Sequence, residues 1–295
     1  MAEQRPSGEV AQSPSVHRAT ACTLARRGTD RSKSAAVALV RIQERSRLQV
    51  TTETYRYEAV FFDFVDRSSG RSANIFLRAL LNHVRPRSVL DIGCGRGIWL
   101  KSWTSLDVTD IQGVDGEYVD KERLHIKKEE FHSRDISAAF HLGRSFDLVQ
   151  CLEVAEHVPE ERSESLIDNI VSHGDLVLFS AATPGQGGEN HINERPLAYW
   201  VEKFSKRGYG CFDPVRPLVR NDSRIEPWYR FNALVFAKGH GISSLSEAAR
   251  ATRIERPTDL SAVVPLYWKL RCAALRALPA GLTHGMARLK HRLAQ

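Results

Sequence analysis

The chain has 295 residues and 42% hydrophobic content, enough to bury a sizeable core, so a globular protein is expected. Its formal net charge of +7 raises the question of a polyanionic partner. That charge lies at the two ends. Residues 1–50 carry nine Lys/Arg and four Asp/Glu, residues 241–295 carry nine and three, and the segment between them carries 24 and 28. Because the middle segment is net negative, we expect no nucleic-acid partner.

The cysteines and the apolar runs bear on the compartment. The five cysteines are widely scattered, and none forms a pair at the two-residue spacing of a zinc or redox site. No apolar run approaches the roughly 20 residues of a membrane-spanning helix, and the N-terminus has no stretch typical of a signal peptide. The sequence therefore predicts a cytoplasmic protein.

The two ends of the chain differ in composition from the middle. Residues 1–50 are rich in Ser, Ala, Arg and Thr and almost lack aromatic residues, so they cannot bury enough surface to offset the entropy of ordering. They are predicted to form a disordered basic arm. Aromatic residues become dense from Tyr55, and apolar residues recur with helical spacing in residues 72–83. We place the folded domain at residues 51–240.

Short apolar runs alternate with helical stretches along this domain. Four are predicted strands, at residues 88–92, 111–114, 146–151 and 176–180. Strands and helices in alternation favour a parallel, doubly wound sheet.

The stretch that follows the last of these strands is rich in glycine. Residues 183–193 predict a long loop over the carboxyl edge of the sheet, where such folds bind ligands, and residues 196–207 predict a helix. Two further runs, 209–219 and 230–237, fit an antiparallel pair at the sheet edge.

The sharpest local signal is the segment VLDIGCGRG, residues 89–97. An apolar strand ends in Asp91, and Gly93, Gly95 and Gly97 follow at every second position. Glycines at such a turn let the backbone approach a ligand closely. A dinucleotide-binding loop would have a third glycine where Ile98 stands, which makes a nicotinamide-dependent oxidoreductase the less favoured alternative.

This segment resembles motif I of class I S-adenosylmethionine-dependent methyltransferases. The resemblance covers roughly residues 55–238 and includes GVDG (113–116), EVAEH (153–157), HINE (191–194) and WYRFN (228–232), which look like a bacterial subgroup associated with natural-product or surface-glycan pathways. It implies an α/β fold, with a Rossmann-like, doubly wound, seven-stranded sheet and an antiparallel edge hairpin. It also implies S-adenosylmethionine as cofactor and a small-molecule acceptor.

The resemblance assigns cofactor-binding roles to seven residues. Asp115 would accept hydrogen bonds from the ribose hydroxyls, and Asp135 would accept one from the adenine amino group. Glu153 stands where the fourth strand meets the cofactor. The glycine loop completes the set, which is Asp91, Gly93, Gly95, Gly97, Asp115, Asp135 and Glu153.

Two histidines are candidates for activating the acceptor. His157 follows the fourth strand and His191 lies in the loop after the fifth, so both could face the reactive methyl group as general bases. With Glu153 and Glu156 they could instead hold a divalent cation. The same E-x-x-E-H pattern is found in ubiquinone-pathway O-methyltransferases and in terminal 2′-O-methyltransferases of small RNAs. We favour the general base and assign no metal.

The sequence leads to one expected activity and two alternatives. We expect methyl transfer to a hydroxyl of a small metabolite or sugar, and the alternatives are a non-catalytic S-adenosylmethionine-binding protein and the oxidoreductase. Three aromatic residues, Tyr199, Trp200 and Trp228, fit either an acceptor wall or the core.

The C-terminal segment has a pattern of its own. Residues 241–295 are predicted to form a basic helical tail, in which Leu282, Met286, Leu289 and Leu293 mark an amphipathic helix. Such a tail either packs on the domain, which we favour, or makes peripheral contact with anionic lipid. The sequence does not indicate the oligomeric state.

Overall fold

The computed structural model describes residues 59–278 and Gly285, all within the second of two units, residues 55–295. The described part of the chain contains one seven-stranded sheet. Its strands are β1 (Ser88–Ile92), β2 (Asp110–Asp115), β3 (Phe131–Ser133), β4 (Leu148–Leu152), β5 (Leu176–Ser180), β6 (Gly210–Phe212) and β7 (Leu234–Ala237).

The strand order is β3-β2-β1-β4-β5-β7-β6. The first five strands in this order pair in parallel, and β7 runs antiparallel to both β5 and β6. The order reverses direction between β1 and β4, which places a ligand-binding crevice at their carboxyl ends. The predicted doubly wound, seven-stranded sheet with an antiparallel edge is confirmed.

The helices of the described residues flank the sheet and extend beyond its last strand. They are α1 (Ala59–Leu80), α2 (Ile98–Thr104), α3 (Ser163–Val171), α4 (Leu197–Ser205), α5 (Arg216–Val219), α6 (Pro227–Asn232), α7 (Gly239–Ser244), α8 (Glu247–Arg250) and α9 (Leu266–Arg276). Short 3₁₀ turns include Ala155–His157 and Pro257–Ser261.

The central strands are buried on both faces. Every residue of β1, β4 and β5 is buried, as expected for parallel strands covered by helices on each side. One hydrophobic cluster includes the apolar residues of α1 and α2, and a second includes those of α3 and α4. The core thus fixes the carboxyl ends of the strands, where the candidate site lies.

Two predicted elements differ from the structure. The runs 209–219 and 230–237 form strands only at β6 and β7, because α5 and α6 occupy the rest of these segments or border on them. Pro217 and Pro227 stand in the first turn of these helices, where a missing N–H costs nothing, whereas a ladder position would need that N–H. The predicted helix at 72–83 is the end of the longer α1.

The tails are described only in part. The predicted arm, residues 1–50, and the apolar positions Leu282, Met286, Leu289 and Leu293 lie outside the described residues. Within the described tail, Leu245 and Ala249 are buried in the first hydrophobic cluster and Leu260 in the second. The domain boundary at residue 240 remains a prediction. Among the helices described, none combines the length and the apolar character needed to cross a bilayer.

Candidate active site

A tight loop joins β1 to α2 and contains the three predicted glycines. Gly93, Gly95 and Gly97 all have positive φ, at 83°, 55° and 83°. A Cβ at Gly93 would overlap the side chain of Val154, which follows β4. Glycine at this position therefore allows the loop to lie directly against the segment after β4.

Asp115, at the end of β2, holds this loop in place. Its carboxylate accepts hydrogen bonds from the Gly95 N–H at 2.6 Å, the Gly116 N–H at 2.7 Å and the Tyr118 hydroxyl at 2.5 Å. Burial raises the pKa of Asp115, and the three donors oppose that rise. Its role toward the ribose stays a prediction.

The other two predicted aspartates have contrasting surroundings. Asp91 is buried. Burial and the nearby charge of Asp115 raise its pKa to about 7, although the side-chain amide of Gln150 acts to lower it. Asp135 is exposed, and its carboxylate accepts from the Ser137 N–H at 2.9 Å and the Ser137 hydroxyl at 2.7 Å. The structure thus brings Asp91 and Asp115 together at the loop, while Asp135 caps a turn after β3.

Glu153 leaves β4 in a strained backbone conformation. It has a φ of 55°, which is uncommon for a residue with a side chain and is found most often at functional sites. Its N–H donates to the Ser180 carbonyl at 3.0 Å, and its carboxylate accepts from the Gln186 side-chain amide at 2.6 Å. Gln186 in turn accepts from the Asn232 amide at 2.7 Å. Burial raises the pKa of Glu153.

Glu156, His157 and His191 form a cluster beside this network. One carboxylate oxygen and two imidazole nitrogens all lie within 4.8 Å of one another, and the two rings stand edge to face at 4.9 Å. Glu156 is fully buried, and neither of its oxygens is hydrogen-bonded to a side chain. Burial and the charge of Glu153 raise the pKa of Glu156 well above its usual range.

His157 is held in one tautomer. Its Nδ1 lies 3.1 Å from the carbonyl oxygen of Asn190, which can only accept, so Nδ1 carries the proton and Nε2 carries the lone pair. Burial and the neighbouring His191 lower the pKa of His157 to about 3, and the bond to Asn190 opposes this only in part. His157 is therefore neutral at physiological pH and poorly suited to accept a proton.

His191 is oriented by a carboxylate that the sequence analysis did not single out. Its Nδ1 lies 2.9 Å from Glu194, which also accepts from the N–H groups of Gly185 at 2.7 Å and Gly187 at 2.8 Å. Burial opposes ionisation of Glu194, but these partners lower its pKa overall. Glu194 thus accepts the Nδ1 proton and leaves the lone pair of neutral His191 on Nε2.

The remaining sequence candidates divide between core and surface. Trp200 is 1% exposed and packs against Phe179, so it belongs to the core. Tyr199 and Trp228 are half-buried. Glu194 and Asn232 belong to the motifs HINE and WYRFN, but the sequence analysis gave neither residue a role. The spacing His191-x-x-Glu194 is a signal that could have identified the orienting carboxylate.

Substituting Gly188 tests the role of His191. A Cβ at Gly188 would overlap the His191 ring around Nε2, and Gly188 has ordinary backbone angles, so Gly188→Ala should displace the imidazole without straining the chain. We expect turnover to fall about 100-fold or more, in the range that a positioned base contributes. S-adenosylhomocysteine affinity, measured by calorimetry, should be unchanged.

The matched control is Gly285→Ala, because a Cβ there meets no atom of the described residues within 4 Å. This variant should retain full turnover. Normal turnover of Gly188→Ala in a folded protein would remove His191 from the reaction.

Comparison with known proteins identifies the family of this chain. A family model described as a methyltransferase domain matches residues 64–213, about half of the chain. The chain belongs to this family. The methyl donor of the family is S-adenosylmethionine. Membership argues against the oxidoreductase alternative.

Two curated relatives and one solved structure illustrate the similarity. The ubiquinone biosynthesis O-methyltransferase of Neisseria meningitidis serogroup C is 29% identical over 42% of this chain and 56% of its own length. That of Thiobacillus denitrificans is 34% identical over 41% and 55%. An amino pentose methyltransferase from Micromonospora echinaspora has a TM-score of 0.44 and 13% identity, over 63% of this chain and 99% of the other. The chain spans about half the length of the curated relatives it matches.

Proposed function

We propose that this protein transfers the methyl group of S-adenosylmethionine to a hydroxyl of a small metabolite or sugar. One observation carries the proposal: Gly93 of the cofactor loop lies against Val154, which stands between Glu153 and Glu156. A loop suited to the cofactor and a cluster suited to a hydroxyl acceptor therefore share one edge of the sheet. The names of the curated relatives favour an oxygen acceptor.

The cofactor would lie over the loop of Gly93, Gly95 and Gly97, between Asp91 and Asp115. Bound S-adenosylmethionine supplies an electrophilic methyl group on a positively charged sulfonium. The two buried carboxyls make the environment of the loop acidic. Such an environment favours a positively charged ligand over the negatively charged phosphates of a dinucleotide. Asp135, exposed after β3, would reach the adenine amino group, and Glu153 would meet the cofactor at the end of β4.

The chain's own contribution to the reaction is to position the acceptor and remove its proton. His191, held by Glu194 through Nδ1, presents Nε2 as the general base. His157, which its pKa near 3 keeps neutral, packs edge to face against His191 and helps to hold the base in place. In-line positioning of the acceptor would supply much of the acceleration.

A second candidate is activation of the hydroxyl by a divalent cation. The carboxylate of Glu156 and the imidazoles of His157 and His191 are a set of ligands that suits such a cation. Glu194 would orient His191 by accepting a hydrogen bond from its Nδ1. These three residues would hold the ion, which would lower the pKa of a coordinated hydroxyl.

Two measurements test the proposed function. Titration calorimetry with S-adenosylhomocysteine should show binding, and labelled S-adenosylmethionine should transfer label to members of a panel of hydroxylated aromatic and sugar acceptors. Binding without transfer to any extract or acceptor would favour the non-catalytic alternative. No binding would contradict the cofactor site.

A chelator distinguishes the two ways of activating the acceptor. With His191 as general base, turnover should persist in about 1 mM chelator, an excess over trace metal, and be lost about 100-fold in His191→Gln. If a cation is required, chelation should abolish turnover, and added magnesium or manganese should restore it. Chelator-sensitive, metal-restored activity would overturn the metal-free mechanism.

A further inference from the structure

The outer face of α9 exposes an unusual amount of apolar surface. Among the described residues, six large apolar side chains are exposed, and four of them lie in residues 266–278. Leu266 is 70% exposed, Tyr267 58% and Leu270 61%. At 100° per residue these three side chains fall within one stripe along the helix. A patch of this kind marks an interaction surface.

The inner face of α9 packs firmly on the domain, so the helix is fixed in place. Trp268 and Cys272 are buried, and the Trp268 ring packs against Phe231 at 5.6 Å. Arg271 stacks over Trp268 at 4.6 Å and donates to the carbonyl of Gln186 at 3.0 Å. The helix that exposes the outer stripe is therefore fixed by contacts with the loop that contains Gln186, which belongs to the candidate site.

The charge around this stripe has a single sign. No Asp or Glu follows Asp259, whereas residues 260–295 contain six Lys/Arg. Two of these, Lys269 and Arg276, stand side by side on the helix and line an open groove of about 500 Å³ together with Pro184 and Cys272. An apolar stripe with basic residues along its edge is the arrangement of helices that lie in the interface of anionic membranes.

We propose that α9 docks this protein on the surface of an anionic lipid bilayer. Leu266, Tyr267 and Leu270 enter the boundary between headgroups and acyl chains, and Lys269 and Arg276 contact the lipid phosphates. Because Arg271 and Cys272 contact the loop of residues 185–188 from the other side of the helix, docking places that loop close to the bilayer. The docking itself does not depend on methyl transfer.

Vesicle sedimentation of the full chain tests the proposal. We expect it to sediment with vesicles of phosphatidylcholine and phosphatidylglycerol but not of phosphatidylcholine alone. The double variant Leu266→Ser/Leu270→Ser should reduce the partition coefficient about tenfold or more, since two leucines lose their burial in the membrane. Lys269→Gln/Arg276→Gln should weaken binding and make it less sensitive to salt.

Leu218→Ser is the matched control, because Leu218 lies on α5 and is 62% exposed. It should leave the partition coefficient unchanged. Failure of the full chain to bind anionic vesicles, or equal losses in the Leu218 and Leu266/Leu270 variants, would overturn the proposal. So would concentration-dependent dimerisation that the Leu266/Leu270 variant abolishes in light scattering, because it would identify a second copy of the chain as the occupant.

Discussion

Glu156→Gln is expected to stabilise the protein. The carboxyl is fully buried, accepts no side-chain hydrogen bond and lies near the charge of Glu153, so its ionised form opposes folding. Glutamine cannot ionise and has nearly the same shape. We expect the free energy of unfolding to rise by about 1–3 kcal/mol near neutral pH, because keeping a carboxyl protonated costs about 1.4 kcal/mol for each pH unit above its ordinary pKa. For a domain of this size, each kcal/mol of added stability raises the melting temperature by roughly 2–4 °C.

Turnover of the same variant distinguishes the two ways of activating the acceptor: it should persist if His191 alone is the base, and fall about 100-fold or more if Glu156 is a ligand of a required cation. Scanning calorimetry and the labelled-methyl assay measure the two effects. Glu161→Gln, at an exposed position in the next turn, should change neither. A lower melting temperature would show that Glu156 makes a stabilising contact, and unchanged turnover would exclude it as a ligand of a required cation.

The fold could be predicted from the sequence where the signal is local. The bounds of β1 and β5 agree with the apolar runs at 88–92 and 176–180, because a strand buried on both faces is largely apolar. β3 has only three residues, and its pairing with β2 defines it more than its composition does. At the edge, β6 and β7 are shorter than the apolar runs, since apolar residues of α5 and α6 pack into the same core.

The candidate site likewise contains some contacts that the sequence predicts and others that only the fold reveals. The glycine loop and Asp91 occupy one short segment, so their proximity follows from the sequence alone. The link from Gln186 to Glu153 joins loops after two different strands, and the contact of Arg271 with Gln186 spans 85 residues. Such contacts depend on how the loops pack over the sheet, and no spacing in the sequence encodes them. The low pKa of His157 likewise arises from burial that becomes visible only in the fold.

Asp91→Asn is expected to change the pH dependence of stability and to weaken cofactor binding. The pKa of Asp91 is about 7 in the folded protein and 3.8 in the reference state, so the native state binds the extra proton between these values. Where the native state binds more protons, stability falls as pH rises. The loss of folding stability caused by Asp91 is absent below about pH 4 and complete above about pH 7. A pKa shift of this size corresponds to a loss of at most about 4 kcal/mol in the free energy of unfolding.

Asparagine cannot ionise, so the variant should match the native protein near pH 4 and exceed its melting temperature by several degrees at pH 8. Asp120→Asn is a suitable control: Asp120 is exposed and caps the turn at Lys121–Arg123, where asparagine caps equally well. It should show no such divergence with pH. S-adenosylhomocysteine should bind Asp91→Asn about tenfold or more weakly at pH 8, since the loop loses a carboxylate that would face the ammonium group of the ligand. Equal stability of the two proteins across pH would mean that Asp91 is ordinarily hydrated, and unchanged affinity would place the cofactor away from it.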